Sequence, residues 1–236
     1  IDSGGSDAIW LFEHTKPEIV TPINHFNDIL GEGLSGSIYG NRSRISTFKL
    51  GSFIIEQPTV SFLDSISTKN ARMYKERNGS IGSNILKRFI VWFNYANNTI
   101  TFKKNGSFKK GFNYNMSGLD VVYNGKQLVK EEDVRSYSDA YNQSVSSTNS
   151  VKFITSFSYK FKPSYRIRNI VANSPADKAG LKVDDIILRL NNKPAHEYQL
   201  GEIIQKFQEK DGKRIKITVD RKGEKLKFQF RLEKKV

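Results

Sequence analysis

An aspartate set among small residues is the first group in this chain that could do chemistry: Ile1-Asp2-Ser3-Gly4-Gly5-Ser6 leads into the apolar run Ile9-Trp10-Leu11-Phe12. Small neighbours let backbone N–H groups approach the carboxylate, and Ser3 can hydrogen-bond across to a partner loop and fix its orientation. A plain Asx turn is the alternative use of the same residues. Two more segments share the glycine-rich character, Gly31 to Gly40 and Gly79-Ser80-Ile81-Gly82-Ser83-Asn84-Ile85-Leu86. Other chemistries find little here. His14, His25 and His196 are scattered and there is no Cys, so thiolate metal sites, disulfides and a cysteine nucleophile are excluded, and neither a metal nor a cofactor is expected. No Gly-x-Ser-x-Gly elbow and no phosphate-binding Gly-Lys-Ser loop occur.

The elements that must position these residues read as β. Ile9 to Phe12, Ile45 to Leu50, Phe53 to Ile55, Thr59 to Phe62, Phe89 to Tyr95 and Thr99 to Phe102 are short apolar runs punctuated by Gly, Asn and Ser, and only Ser83 to Arg88 suggests a helix. Asn105 to Gly111 marks a boundary between two cores. Met116 to Tyr123 reads as a lone strand, and the polar stretch Asn124 to Asn149 as an insertion or mobile loop. Regularity returns with strands at Tyr165 to Val171 and Asp185 to Leu190, a helix at Gln199 to Gln208, and a terminal hairpin that turns at Asp220 to Gly223. At 236 residues the chain has room for two domains. We expect a mainly β protein with domains 1–111 and 112–236, the second interrupted at about 124–162.

Asp-Ser-Gly, a glycine-rich hairpin and Ile-Gly-x-Asn-Ile-Leu, in that order over residues 1–104, resemble the retropepsin family of aspartic proteases. The resemblance implies a closed acid-protease barrel with strands upstream of Asp2. It implies that Asp2, Ser3 and Gly4 form the catalytic loop, supported by Ile81, Gly82 and Asn84. Gly33, Leu34, Ser35, Gly36, Ile38 and Tyr39 would belong to a flap that closes over substrate. It also implies a homodimer, because two carboxylates about 3 Å apart share one proton and activate water, and one chain supplies only Asp2.

Ile170-Val171-Ala172-Asn173-Ser174-Pro175-Ala176-Asp177-Lys178-Ala179-Gly180-Leu181, followed by Asp184-Asp185-Ile186-Ile187, resembles the corresponding segment of bacterial PDZ domains, with Asp184 where a Gly is usual. That likeness implies a carboxylate-binding loop at Pro163 to Ile167, and a strand Tyr165 to Val171 that a peptide would augment. Ser164, Tyr165, Arg166 and Ile167 would touch the peptide together with Leu200 and Ile204, which share a helical stripe with Ile203 and Phe207.

The net charge of +14 raises nucleic acid as a partner. In Lys213 to Phe230, however, basic and apolar residues alternate, as on the wet face of a hairpin, so no nucleic-acid partner is expected. No apolar run is long enough to cross a membrane as a helix, and no membrane insertion is expected. The expected partners are polypeptide substrates or peptide C-termini. The expected function is peptide-bond hydrolysis by an Asp2 dyad, or peptide binding by a protein that keeps a degenerate protease domain. The family likeness points to the cell envelope or periplasm.

Overall fold

Apolar and polar residues alternate along most of the chain, and the structure converts that alternation into strands. The computed structural model describes residues 1–33, 36–66, 68–69, 71–74, 76–137 and 152–236. In the first module β1 is Ile9–Phe12, β2 Phe26–Gly33, β3 Gly36–Arg44, β4 Thr47–Leu50, β5 Phe53–Glu56, β6 Thr59–Leu63 and β7 Gly79–Ile81. Helix α1 (Ser83–Leu86) follows, then β8 (Phe89–Asn94) and β9 (Thr99–Lys104). A mixed sheet runs β2-β3-β6-β1-β7, with β1 parallel to β6 and antiparallel to β7. All five residues of β6 are buried, as expected of a central strand covered on both faces. The hairpins β4–β5 and β8–β9 close over the same core, built from Ile9, Ile55, Val60, Phe62, Ile85, Phe89 and Phe112. Asn98, with φ of 51°, makes the reversal between β8 and β9.

Asn105 to Gly111 lies against the first core under one side chain. Arg88 is buried, its guanidinium lies 3.5 Å from the Phe112 ring centre, and it donates to the carbonyls of Asn84 (2.9 Å), Ser107, Phe108, Lys110 and Gly111 (3.0 Å).

In the second module β10 is Leu119–Tyr137, β11 Lys152–Ile170, α2 Pro175–Lys178, β12 Ile186–Leu190, β13 Lys193–Pro194, α3 Leu200–Lys206, β14 Arg214–Arg221 and β15 Glu224–Arg231. The sheet order is β10-β11-β12-β14-β15. Ile215, Ile217 and Val219 face a core shared with Ile167, Ile187, Leu190, Ile203 and Phe207, each fully buried aliphatic or aromatic side chain contributing about 1.5–3 kcal/mol. Lys222 and Gly223, at φ of 55° and 88°, give the left-handed pair that a two-residue hairpin turn needs. Ser174 caps α2 by accepting from Asp177 N, ahead of Pro175 at the first helical position. Gln199 and Glu202 form a capping box at the start of α3.

The chain is mainly β. One expectation changes: Asn124 to Asn149 is not a loop throughout, because β10 runs on to Tyr137 and pairs with β11 back to Lys152. The ladder shifts register between Tyr123 and Lys126, where Gly125 takes a φ of +75°, so the hairpin bends there and continues as an arm. Its two faces differ. Glu131 meets Lys160 at 2.6 Å and Lys162 at 2.9 Å on one, while Leu128, Tyr159 and Phe161 are exposed on the other. No helix among the described residues is long and apolar enough to cross a membrane.

Candidate functional site

Strand order decides where a peptide could add to the second module. β11 is paired on both sides: Tyr165, Arg166 and Ile167 face Tyr123, Val122 and Val121 of β10, and Arg166 also faces Ile186 of β12. Ile167 N donates to Asp185 O at 3.0 Å and Asp184 N to Ile167 O at 2.8 Å, so its backbone is already used. β10 is the edge, and α3 packs beside it. Between them lies a cleft of about 390 Å³, lined by Gly118 to Val121 on one side and Gly201, Ile204, Gln205 and Gln208 on the other.

The first module roofs this cleft with Asp28 to Gly31 of β2 and with Ser83, Asn84 and Lys87 at α1. Beneath the roof sits a buried ionic knot. Arg42 donates through Nε to Asp28 at 2.6 Å and through both terminal nitrogens to Asp7 at 2.9 and 3.3 Å. Trp10 Nε1 (2.7 Å) and Ser61 Oγ (3.0 Å) also donate to Asp7. Burial raises the Asp28 carboxyl above its ordinary 3.8, outweighing the pull of Arg42, whose single charge serves two acids. The Arg42 charge is in turn held firmly by Asp7 and Asp28 against its own burial.

Gly118 shapes the start of the strand. Its φ is +79° and a Cβ there would fall 2.2 Å from Ser174 Cβ, so the chain can pass only with no side chain. Ser117 Oγ accepts from Leu119 N at 3.0 Å, and Val171 N donates to Gly118 O at 2.9 Å. Ala176 N of α2 donates to Ser117 O at 3.1 Å, which ties the loop to that helix.

Residues 166–221 match the family model for the PDZ domain. The second module contains a PDZ domain. A comparison of the sequence with curated proteins gave no match. Among solved structures, the chain is similar to the HtrA-type protease AlgW with a decapeptide, at 13% identity and a TM-score of 0.34, over 97% of this chain and 60% of that one. It is also similar to a variant of AlgW with a decapeptide, at 12% identity and a TM-score of 0.36, over 95% and 63%. The chain therefore spans about three-fifths of the length of those structures, and at this level of similarity no catalytic residue is carried across.

The expected aspartic dyad is corrected. The two solved structures just named are HtrA-type proteases, not aspartic ones, and the resemblance of residues 1–104 to retropepsins is not carried further. The structure does bring the two named segments together: Asp2 N donates to Ile81 O at 2.9 Å, Ser83 N to Gly5 O at 2.7 Å and Asn84 N to Asp7 O at 3.2 Å. Asp2 accepts from Gly4 N and Gly5 N of its own loop, at 2.9 and 3.0 Å. The crevice beside it, against Gly5, Trp10 and Gly82, holds about 10 Å³, the space of one water at most.

Of the expected flap, Gly33 and Gly36 end β2 and begin β3, while Leu34 and Ser35 lie outside the described residues. Ile38 is half-buried, and Tyr39 is exposed with its hydroxyl accepting from Asn169 Nδ2 of the PDZ domain at 2.7 Å.

The expected peptide strand of the PDZ domain falls on β11, between β10 and β12. Ser164, Tyr165 and Ile167 are buried, Arg166 pairs with Asp184 at 2.9 Å, and Arg166 sits in the ladder with both Val122 of β10 and Ile186 of β12. Leu200 packs against the core, and Ile204 alone of the six named residues lines the cleft. Sequence reasoning missed Gly118, Leu119 and Val121. The available signal was Met116-Ser117-Gly118-Leu119, a glycine directly ahead of an apolar strand, which was read only as a lone strand.

Proposed function

We propose that the chain binds extended polypeptide, which adds as a further strand to the open edge of β10 with side chains reaching toward α3. The carrying observation is the combination of a strand at the sheet edge, a helix packed beside it and a cleft between them in a module that matches the PDZ family. Main-chain hydrogen bonds would supply affinity, and Ile204 with the apolar side of the cleft would select side chains in alternate positions.

Fluorescence anisotropy with a labelled Val/Thr octapeptide tests this reading. Ile204→Asp is expected to weaken binding at least tenfold, and N-methylation of alternate peptide amides to weaken it by a similar factor, since each lost hydrogen bond costs about 1 kcal/mol. Equal binding by Ile204→Asp would remove the cleft from the account.

Cleavage of the captured chain is part of the proposal, with no catalytic residue assigned; mass spectrometry of casein incubated with the full chain reads it. A homodimer is a separate proposal, supported by exposed Trp92, Phe93 and Tyr95 on β8–β9 and its turn, and read by sedimentation velocity.

A further inference from the structure

The cleft does not end at the PDZ domain. Past Gln205 and Gln208 it continues into a second recess of about 380 Å³, reached through Asn84, Lys87 and Asn113, which line both, and bounded at its far side by Ser107 and Lys110. The charges along this path are unequal in their partners. Asp7 and Asp28 are held by Arg42, and Asp120 by Arg168 at 2.7 Å. Arg88 is committed to backbone carbonyls. Lys87 has no acid partner among the described residues, and it caps the C-terminal end of α1 at the junction of the two recesses. Burial, followed by the like charges of Arg88 and Lys110, holds its amine below the usual 10.5.

We infer that Lys87 is an anchor for a carboxylate of the bound polypeptide, either an Asp or Glu side chain or a free C-terminus, so that one ligand engages β10 of the PDZ domain and α1 of the first module together. This rests on the peptide-capture reading above. A carboxylate at this point gains a charge-assisted hydrogen bond from an exposed cation, and it relieves the repulsion among Lys87, Arg88 and Lys110. Among the described residues no carboxylate competes for the position, because Asp7, Asp28 and Asp120, which line the cleft, already have their cations. The excess of positive charge over the whole chain adds attraction for an acidic segment at a distance.

The test uses the full chain and the labelled Val/Thr octapeptide in four forms, with one internal Glu or Gln and with a C-terminal carboxylate or amide. Affinities are read at about 0.1 M salt, where exposed charges are only partly screened. A carboxylate form is expected to bind about fivefold more tightly than the Gln amide form. That advantage disappears in Lys87→Ala and reverses in Lys87→Glu, while the Gln amide form binds all three proteins alike. The form that loses its advantage identifies whether side chain or terminus supplies the group. Equal binding of all four forms by the unaltered chain, or an advantage that survives Lys87→Ala, overturns the anchor and leaves peptide capture intact. Failure of every form to bind overturns peptide capture and the anchor with it.

Discussion

Tyr39 Oη accepts a hydrogen bond from Asn169 Nδ2 at 2.7 Å, which ties the β2–β3 hairpin of the first module to β11 of the PDZ domain. Both groups are exposed, so Tyr39→Phe is expected to change global stability by no more than about 1 kcal/mol. Amide exchange within β2–β3 should quicken all the same, because the hairpin tip loses its outside support. Hydrogen exchange read by mass spectrometry separates the local effect from the global one.

Removing the cation of the buried knot is a larger change. Arg42→Met leaves Asp7 and Asp28 buried without a counter-charge and is expected to cost about 3–5 kcal/mol in denaturant unfolding.

The same knot predicts a pH dependence. The folded Asp28 carboxyl is raised above its ordinary 3.8, first by burial, so between 3.8 and the folded value the native state holds a proton that the unfolded chain has lost. The contribution of Asp28 to stability is thus full below 3.8 and is lost as pH rises through the folded value. Asp28→Asn removes this slope. The difference between the two proteins in chemical denaturation, followed from acid toward neutral pH, measures it.

Arg88→Lys tests the boundary segment. A single ammonium cannot reach the carbonyls on both sides of the fork that now holds Ser107 to Gly111, so some of those part-buried groups lose their partner. A loss of about 2–3 kcal/mol is expected, with faster exchange at Asn105 to Gly111. An unchanged midpoint would mean that the segment does not depend on Arg88.

Much of the fold was legible because alternation is a local signal. Ile9 to Phe12, Thr59 to Phe62 and the terminal hairpin emerge nearly as read, and the turn at Asp220 to Gly223 follows from its residues. The arm formed by β10 and β11 carries the same alternation in Phe157, Tyr159 and Phe161, but the high content of Lys, Ser and Asn around it suggested a loop. The edge position of β10 was not legible for a different reason. Whether a strand lies at the centre or the edge of a sheet depends on which other strand arrives beside it, and Tyr165 to Val171 carries no mark of its pairing with Val121 to Tyr123. The buried knot was hidden likewise, since Asp7, Asp28 and Arg42 are far apart in sequence and meet only once β3 lies between β2 and β6.

Gly118→Ala is expected to destabilise the PDZ domain by more than about 2 kcal/mol, because the added methyl group collides with Ser174 and the residue keeps a positive φ. Peptide affinity should fall with it, as β10 can no longer enter the sheet along its present path.

The most direct test of peptide capture is hydrogen–deuterium exchange of the full chain with and without saturating Val/Thr octapeptide. New protection is expected at Val121 of β10 and along α3, with little change at Leu119, whose N–H already donates to Ser117 Oγ, or at Arg166 and Ile167, whose strand is already paired on both sides. Protection confined to another edge such as β15, or none at saturation, would contradict the account.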